Sequence, residues 1–140
     1  MNRWALVPLR LVVGFGFVAH GYAKLARGPA HFGEILAALG VPLPAVMAWV
    51  TTIVELAGGL AIMVGFATAV VAVPLAITML TAMITVHWQY GFSAIKLKAV
   101  GEFGKPGYEL NLLYIAALFA LSAARHRAVE VSAPPGLPAR

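Results

Sequence analysis

Residues 45–87, AVMAWVTTIVELAGGLAIMV-GFA-TAVVAVPLAITMLTAMITVH, decide the fold, and within them Glu55 is the only Asp, Glu, Lys or Arg. Two apolar segments, 45–64 and 68–87, lie on either side of a short uncharged turn. Each is as long as the roughly 20 apolar residues that a helix needs to cross a bilayer. The stretch therefore predicts an antiparallel hairpin of membrane-spanning helices, with Pro74 as a kink in the second.

Two further apolar stretches flank this hairpin. Residues 4–25 and 108–124 predict a first and a fourth span by the same length argument. The stretch 30–39 is mildly amphipathic and too short to cross, so we expect a short interfacial helix between spans one and two. The expected fold class is all-α, an integral membrane four-helix bundle that forms a single domain over residues 1–127. Residues 128–140, rich in proline and alanine, predict a disordered tail.

The composition excludes a soluble protein. Hydrophobic residues make up 61% of the 140 positions and charged residues 11%, and the mean hydropathy is +0.89; soluble domains are about a quarter charged. The net charge of +5 comes from basic residues at span ends or in loops, which is typical of membrane anchors. We therefore expect contact with the lipid bilayer and no nucleic-acid partner.

The chain has no cysteine. It therefore cannot form a disulfide, a thiolate metal site or an iron–sulfur cluster with its own side chains, and we predict no metal site. Any redox role then needs a bound cofactor or a partner protein.

The orientation prediction rests on the basic residues nearest the span ends. Arg3, Arg125 and Arg127 border spans one and four on the side that holds both termini. With Arg140, that side carries four basic residues, and the opposite side carries five: Lys24, Arg27, Lys96, Lys98 and Lys105. Because the positive-inside rule is strongest close to the span ends, we expect both termini in the cytoplasm.

Two charged side chains are predicted inside the apolar spans. At about 1.5 Å per residue, Arg10 lies about 9 Å and Glu55 about 16 Å deep, from opposite faces of a core about 30 Å thick. Measured from the face nearer to Arg10, Glu55 lies about 14 Å deep in that core. The two depths therefore differ by about 5 Å, which a long arginine side chain can bridge. The prediction is an interior ion pair between Arg10 and Glu55, which either locks spans one and two together or serves the function directly.

A second polar group collects where antiparallel threading brings the ends of spans one and three and the start of span four to one depth. His20 and Lys24 are one helical turn apart and share a face. The members of this group are His20, Lys24, His87, Gln89, Glu109 and Asn111. Aromatic side chains surround it: Tyr22, Trp88, Tyr90, Tyr108 and Tyr114.

Side chains of these types suit a quinone. A quinone head needs hydrogen-bond donors for its carbonyl oxygens and a path for protons, and its apolar tail can leave between helices into lipid. The candidate proton-exchanging residues are His20 and Glu109, and the candidate ligand-binding residues are Lys24, Asn111, His87 and Tyr108.

Two other interpretations of this group stay open. One is an ordinary interfacial belt, in which polar and aromatic side chains satisfy one another at headgroup depth. The other makes His20 and His87 the axial ligands of a b-type haem. Pairs of histidines near one membrane surface are common without a metal, so we expect no haem.

Short motifs follow one another along the predicted helices: LR at 9–10, HGYAKL at 20–25, GVP at 40–42, VELAGG at 54–59 and GYELNL at 107–112. With these motifs, residues 3–124 resemble the DoxX family of bacterial four-helix membrane proteins. The resemblance implies a place in the bacterial cytoplasmic membrane and an association with quinone-linked redox chemistry. By position, the motif residues are Arg10, His20, Lys24, Glu55, Glu109 and Asn111.

Two classes of function stay open at this level. The first is a quinone-associated or small-redox-molecule-binding membrane subunit of an oxidoreductase or oxidative-stress system, to which a soluble redox partner brings electrons at the loop 96–105. The second is a non-catalytic membrane adaptor or assembly factor that recruits a protein through the same loop. Small residues such as Gly58 and Gly59 allow close helix packing, within the bundle or between the copies of a homo-oligomer.

Overall fold

The computed structural model describes residues 3–96, 98, 102 and 104–132. Five α-helices follow one another, and the described part of the chain contains no strand. Their bounds are α1 Val7–Arg27, α2 Pro29–Ala38, α3 Pro44–Val64, α4 Thr68–Ala82 and α5 Glu109–Ser132. A 3₁₀ turn, Arg3–Leu6, precedes α1, and a π-helical segment, Met83–His87, with a second 3₁₀ turn, Trp88–Tyr90, extends α4.

Three helical stretches are long and apolar enough to cross a membrane: Trp4–Arg27, Pro44–Val64 and Thr68–Tyr90. Helices suit lipid because each satisfies its backbone hydrogen bonds within itself. The all-α membrane fold predicted from the sequence is confirmed. The fourth predicted span coincides with a shorter apolar helix, Glu109–Ala124, so the fourth crossing stays a prediction.

The ends of α2 and α5 differ from their predicted positions. α2 begins and ends one residue earlier than the predicted interfacial helix. α5 runs on past residue 124 to Ser132, so residues 128–132 of the predicted tail are helical backbone. Arginine ends an apolar stretch but does not break a helix, and the first proline after α5 begins is Pro134. Residues 133–140 lie outside the described residues.

The four long helices run alternately up and down, so the bundle has two ends. The turn end holds the start of α1 and the turn between α3 and α4. The loop end holds the end of α1, the start of α3 and the connection from α4 to α5. At the turn end Gly65 takes a left-handed backbone (φ 75°), and Phe66 N–H donates to the Ala61 carbonyl at 2.8 Å, which caps α3.

Helices α1 and α3 pack with their backbones close together. A Cβ atom on Gly59 would lie 2.6 Å from the carbonyl oxygen of Gly14, and one on Gly21 would lie 3.1 Å from that of Thr52. Small residues are the usual means by which membrane helices approach so closely. These contacts fix the register of the two helices, with residue 14 opposite 59 and residue 21 opposite 52.

The packed core lies towards the turn end. The large side chains that are almost fully buried there are Phe17, Ile62, Leu75 and Leu118, one from each long helix. The ring of Phe17 meets that of Tyr114 edge to face, with centroids 5.2 Å apart. Leu75 covers Gly58, where a Cβ would lie 3.1 Å from its side chain. These large side chains therefore do not fill the interior at the loop end.

At the loop end, the connection between α4 and α5 starts and finishes side by side. Backbone hydrogen bonds join Gly107 N to Ser93 O (2.9 Å), Tyr108 N to Gly91 O (3.0 Å) and Glu109 N to Phe92 O (2.9 Å). Gly107 is buried, and a Cβ at this position would collide with the carbonyl of Gly91. Glycine is therefore needed where the two ends of the connection meet.

Candidate functional site

A cavity of about 540 Å³ lies in the loop end of the bundle. All five helices and the π-helical segment contribute to its wall, which is mainly apolar. Small-molecule sites are typically mainly apolar clefts of about 300–1,000 Å³ with a few convergent polar groups. The charged, histidine and amide side chains in the wall are His20, Lys24, Glu55, His87 and Asn111, and Tyr114 adds a phenol.

Lys24 and Glu55 form an ion pair in this wall. Lys24 Nζ lies 2.6 Å from Glu55 Oε1, and their side chains are 19% and 3% exposed. The Lys24 ammonium also lies 4.8 Å from the centroid of the Phe32 ring on α2, a favourable cation–π arrangement. The ion pair thus links α1 and α3 and lies against α2.

The directions of the side chains explain this pairing. A helical side chain leans towards the N-terminus of its own helix. Because α1 and α3 are antiparallel, Lys24 leans back towards the middle of the bundle while Glu55 leans towards the loop end. In the register set by Gly21 and Thr52, Lys24 lies opposite residue 49, so the two side chains converge from backbone positions six residues, or about 9 Å, apart along the helix axis.

The predicted Arg10–Glu55 pair is wrong, because the partner of Glu55 is Lys24. The guanidinium of Arg10 lies at Gly65, where an added Cβ would collide with Nη1. The register that places residue 14 opposite 59 carries Arg10 to the C-terminal end of α3. There its positive charge faces the negative end of the helix dipole.

Glu55 has one oxygen that is not satisfied. The residue is 2% exposed, Oε1 contacts Lys24, and Oε2 is buried without a hydrogen-bond partner. A buried carboxylate oxygen normally accepts a hydrogen bond, and leaving one without a donor is unfavourable by about 1–3 kcal/mol or more. Since Glu55 lines the cavity, a ligand that carries a hydroxyl or N–H group would supply the missing donor.

His87 lies at the end of the π-helical segment and lines the cavity. Its Nδ1 is 3.0 Å from the carbonyl oxygen of Pro106. A carbonyl can only accept, so Nδ1 carries the proton and donates it, and in the neutral ring Nε2 is an acceptor. π-helical turns are rare and often occur at functional sites.

Asn111 joins α5 to α4 beside the same cavity. It is buried, and its Nδ2 donates to the carbonyl oxygen of Met79 at 3.3 Å. The same Nδ2 lies 3.9 Å from Met79 Sδ, so both amide hydrogens are directed at Met79 and the amide oxygen, an acceptor, stays available for a ligand.

His20 lines the cavity one turn before Lys24 and is exposed. The structure therefore brings together five of the sequence-predicted residues, namely His20, Lys24, Glu55, His87 and Asn111.

Glu109 and Tyr108 are placed differently, outside the described cavity wall. Glu109 Oε2 accepts from the backbone N–H of Ala94 at 2.9 Å, which ties the connection to the first turn of α5. The Tyr108 ring stacks on Trp88, with centroids 5.2 Å apart and planes at 16°. The depth of a residue in the membrane, counted along the sequence, does not show which way its side chain points around the helix. Depth alone therefore could not show that these two residues lie outside the cavity wall.

The sequence analysis missed the contribution of α2. Phe32, Leu36 and Leu39 of α2 and its C-terminal flank line the cavity. Their spacing of four and three residues places them on one helical face, and this spacing was the available signal. α2 therefore covers the site with its apolar face.

The sequence model of the DoxX family matches residues 5–88. The chain belongs to the DoxX family. A Bacillus subtilis (strain 168) relative, named "Putative oxidoreductase CatD", is 33% identical over 122 residues, which cover 87% of this chain and 81% of the relative. No solved structure matches this DoxX protein.

Proposed function

We propose that this DoxX protein binds the head of a quinone–quinol couple in the loop-end cavity, as the membrane subunit of an oxidoreductase or oxidative-stress system. The observation that carries the proposal is the buried Glu55 carboxylate, which holds Lys24 on one oxygen and lacks a donor on the other. The oxidoreductase name of the Bacillus relative agrees with a redox role.

The polar atoms of the wall match both forms of such a ligand. The Lys24 ammonium can donate to a quinone carbonyl, whereas Glu55 Oε2 and His87 Nε2 can each accept from a quinol hydroxyl. Oxidation of the quinol breaks two O–H bonds, releases the protons to these acceptors and passes two electrons to a soluble redox protein. Reduction of the quinone reverses each transfer.

His20 and Asn111 complete this assignment. His20 is exposed and lines the cavity, so it can exchange a proton between the ligand and the surroundings. Asn111 orients the ligand through its amide oxygen, which accepts from a quinol hydroxyl. The role predicted for Glu109 and Tyr108 becomes indirect in this proposal: they hold the connection that carries Pro106, the acceptor of His87.

The same proposal includes the setting of the protein. We infer a place in the bacterial cytoplasmic membrane with both termini in the cytoplasm, so that the loop end faces the other side. Lys98 and Lys105 are exposed there, and they suit the acidic surface of a soluble redox partner. A homo-oligomer remains a prediction.

The proposal is tested by the quinone content of the purified protein. The parent, Glu55→Gln, His87→Ala and the control His31→Ala are purified in mild detergent, extracted with organic solvent and assayed for quinone. His31 is exposed, pairs with Glu34 at 3.4 Å and lies outside the described cavity wall, so its variant should keep the parent's content. Glu55→Gln should lose about tenfold in affinity, the value of one charge-assisted hydrogen bond.

Two results would overturn the proposal in favour of a membrane adaptor. One is a parent without quinone that also fails to bind an added short-chain quinol. The other is an unchanged content in both cavity variants. An absorbance spectrum of the same sample tests the haem alternative, which requires a Soret band.

A further inference from the structure

The cavity has an apolar opening on the outer surface of the bundle. Val50 on α3 is 44% exposed and Ile77 on α4 is 59% exposed, and both line the cavity. Side chains that line an interior space and remain this exposed lie at its rim. Ile35 of α2 also lines the cavity and is 44% exposed. The rim therefore consists of apolar side chains from three neighbouring helices.

This opening arises because α3 and α4 separate along their length. Near the turn, Leu75 packs against Gly58 and closes the space between the two helices. One turn further towards the loop end, Val54 and Thr78 both face the cavity. Pro74 lies at this transition and cannot donate the helical hydrogen bond to the carbonyl of Val70.

The opening lies at the depth of the hydrocarbon. Glu55 is as many residues from Gly65 as Ile77 is from Ala67, which places both about 15 Å from the turn. A bilayer core is about 30 Å thick. At Ile77 the rim thus faces lipid tails near the middle of the membrane, at the level of the Lys24–Glu55 ion pair, and Val50 lies five residues, or about 7.5 Å, closer to the loop end, within the same apolar core.

We propose that the opening between α3 and α4, rimmed by Val50 and Ile77, is a lateral portal for the apolar tail of a long-chain amphiphile whose polar head reaches Lys24 and Glu55. The proposal rests on the proposed function and sets its substrate class: long-tailed, membrane-dissolved quinones in preference to short, water-soluble ones. An apolar rim at hydrocarbon depth fits a tail, and the charged pair inside fits a polar head.

A second opening lies between α1 and α5. Leu110 is 48% exposed and lines the cavity, as does His20. The histidine makes this rim polar in part, and it suits protons or the head of the ligand better than a tail. The two openings can be told apart by substituting the apolar side chain at each.

The first test blocks the portal in protein reconstituted into lipid nanodiscs. Binding of a tail-less benzoquinol and of the same head with a decyl tail is measured by calorimetry for the parent, Ile77→Trp, Leu110→Trp and the control Val73→Trp. Val73 has the same 59% exposure on α4 and lies outside the described cavity wall. Ile77→Trp should weaken decyl binding about tenfold, as expected when even two methylenes lose their burial, and leave tail-less binding unchanged.

The outcomes separate this proposal from the function on which it rests. Equal loss for both ligands in Ile77→Trp, or loss of decyl binding in Leu110→Trp instead, would overturn the portal. A parent that binds neither ligand would overturn the proposed function itself.

A second measurement does not depend on a bulky substitution. Because the chain has no cysteine, Ile77→Cys and Val73→Cys each carry a single thiol for a membrane-permeant maleimide. The decyl ligand should slow labelling of Ile77→Cys and leave labelling of Val73→Cys unchanged, and the tail-less ligand should protect neither. Equal protection of both positions, or of neither by the decyl ligand, would contradict a tail in the portal.

Discussion

The two ends of the bundle use the same kinds of apolar helix for opposite purposes. At the turn end, glycines bring α1 and α3 together and large side chains from all four long helices fill the interior. At the loop end, α1 and α3 stay in contact at Gly21 and Thr52, whereas α3 and α4 separate beside a cavity of about 540 Å³ whose wall contains a buried ion pair. Tight packing at one end allows an open, polar interior at the other.

The most damaging change should be Gly59→Leu in the packed half. A Cβ at this position would lie 2.6 Å from the carbonyl oxygen of Gly14 and 2.9 Å from the nitrogen of Val18, so the helices must move apart. We expect a loss of about 3 kcal/mol, the upper end of typical overpacking. The measurement is the melting temperature and the monodisperse yield in detergent.

Two variants make this test a comparison of the ends. Ala57→Leu adds the same side chain on the exposed face of α3, and Val54→Leu adds a methylene at the cavity wall. Both should stay within about 0.5 kcal/mol of the parent. A Val54→Leu loss equal to that of Gly59→Leu would mean that the loop end is as tightly packed as the turn end.

A smaller effect is expected from Lys24→Met at the loop end. The change leaves the Glu55 carboxylate buried without its counter-charge, and we expect a loss of about 2 kcal/mol, below the roughly 3–5 kcal/mol of a fully buried pair because the Lys24 side chain is 19% exposed. The double variant Lys24→Met/Glu55→Gln should recover most of this loss of stability.

Arg10 should be independent of Glu55. In a double-mutant cycle by thermal melting, Arg10→Met and Glu55→Gln should be additive within about 0.5 kcal/mol. Strong coupling of Arg10 to Glu55 would contradict the register of α1 and α3.

The smallest effect should follow Glu109→Ala. The change removes the acceptor of the Ala94 N–H, a hydrogen bond of 2.9 Å. The free energy of locally opening the connection should fall by about 1 kcal/mol. Hydrogen exchange at Ala94 should become about fivefold faster, as that free energy implies, with the quinone content unchanged. Glu102→Ala, an exposed position, is the control. Loss of quinone in Glu109→Ala without faster exchange at Ala94 would restore Glu109 to direct contact with the ligand.

The helices were the predictable part of the fold. Long apolar stretches such as 45–64 permit only one spanning conformation, because lipid cannot satisfy a free backbone. The end of α5 was less predictable, since the basic residues from Arg125 onward end the apolar stretch and not the helix. The π-helical segment Met83–His87 has no distinct sequence pattern, because it differs from an α-helix only in the partner of each hydrogen bond.

The candidate site was predictable in its members and not in their pairing. Polar side chains in apolar helices are few, so His20, Lys24 and His87 could be selected from the sequence. Depth arguments assigned Arg10 to Glu55, because they ignore the lean of side chains along antiparallel helices. The pairing depends on which residues meet across α1 and α3, and the contact of Gly14 with Gly59 fixes that.

The close packing of α1 against α3 also sets an order of assembly. During synthesis α1 enters the membrane first, yet Thr52 and Gly59, its nearest backbone neighbours, are made later. The end of α3 that receives Arg10 is later still. Until α3 has been made, the helix end that Arg10 contacts in the folded protein does not exist. Folding is therefore completed when α1 packs against the α3–α4 hairpin, which is synthesised after it. The contact of Arg10 with Gly65 marks that step.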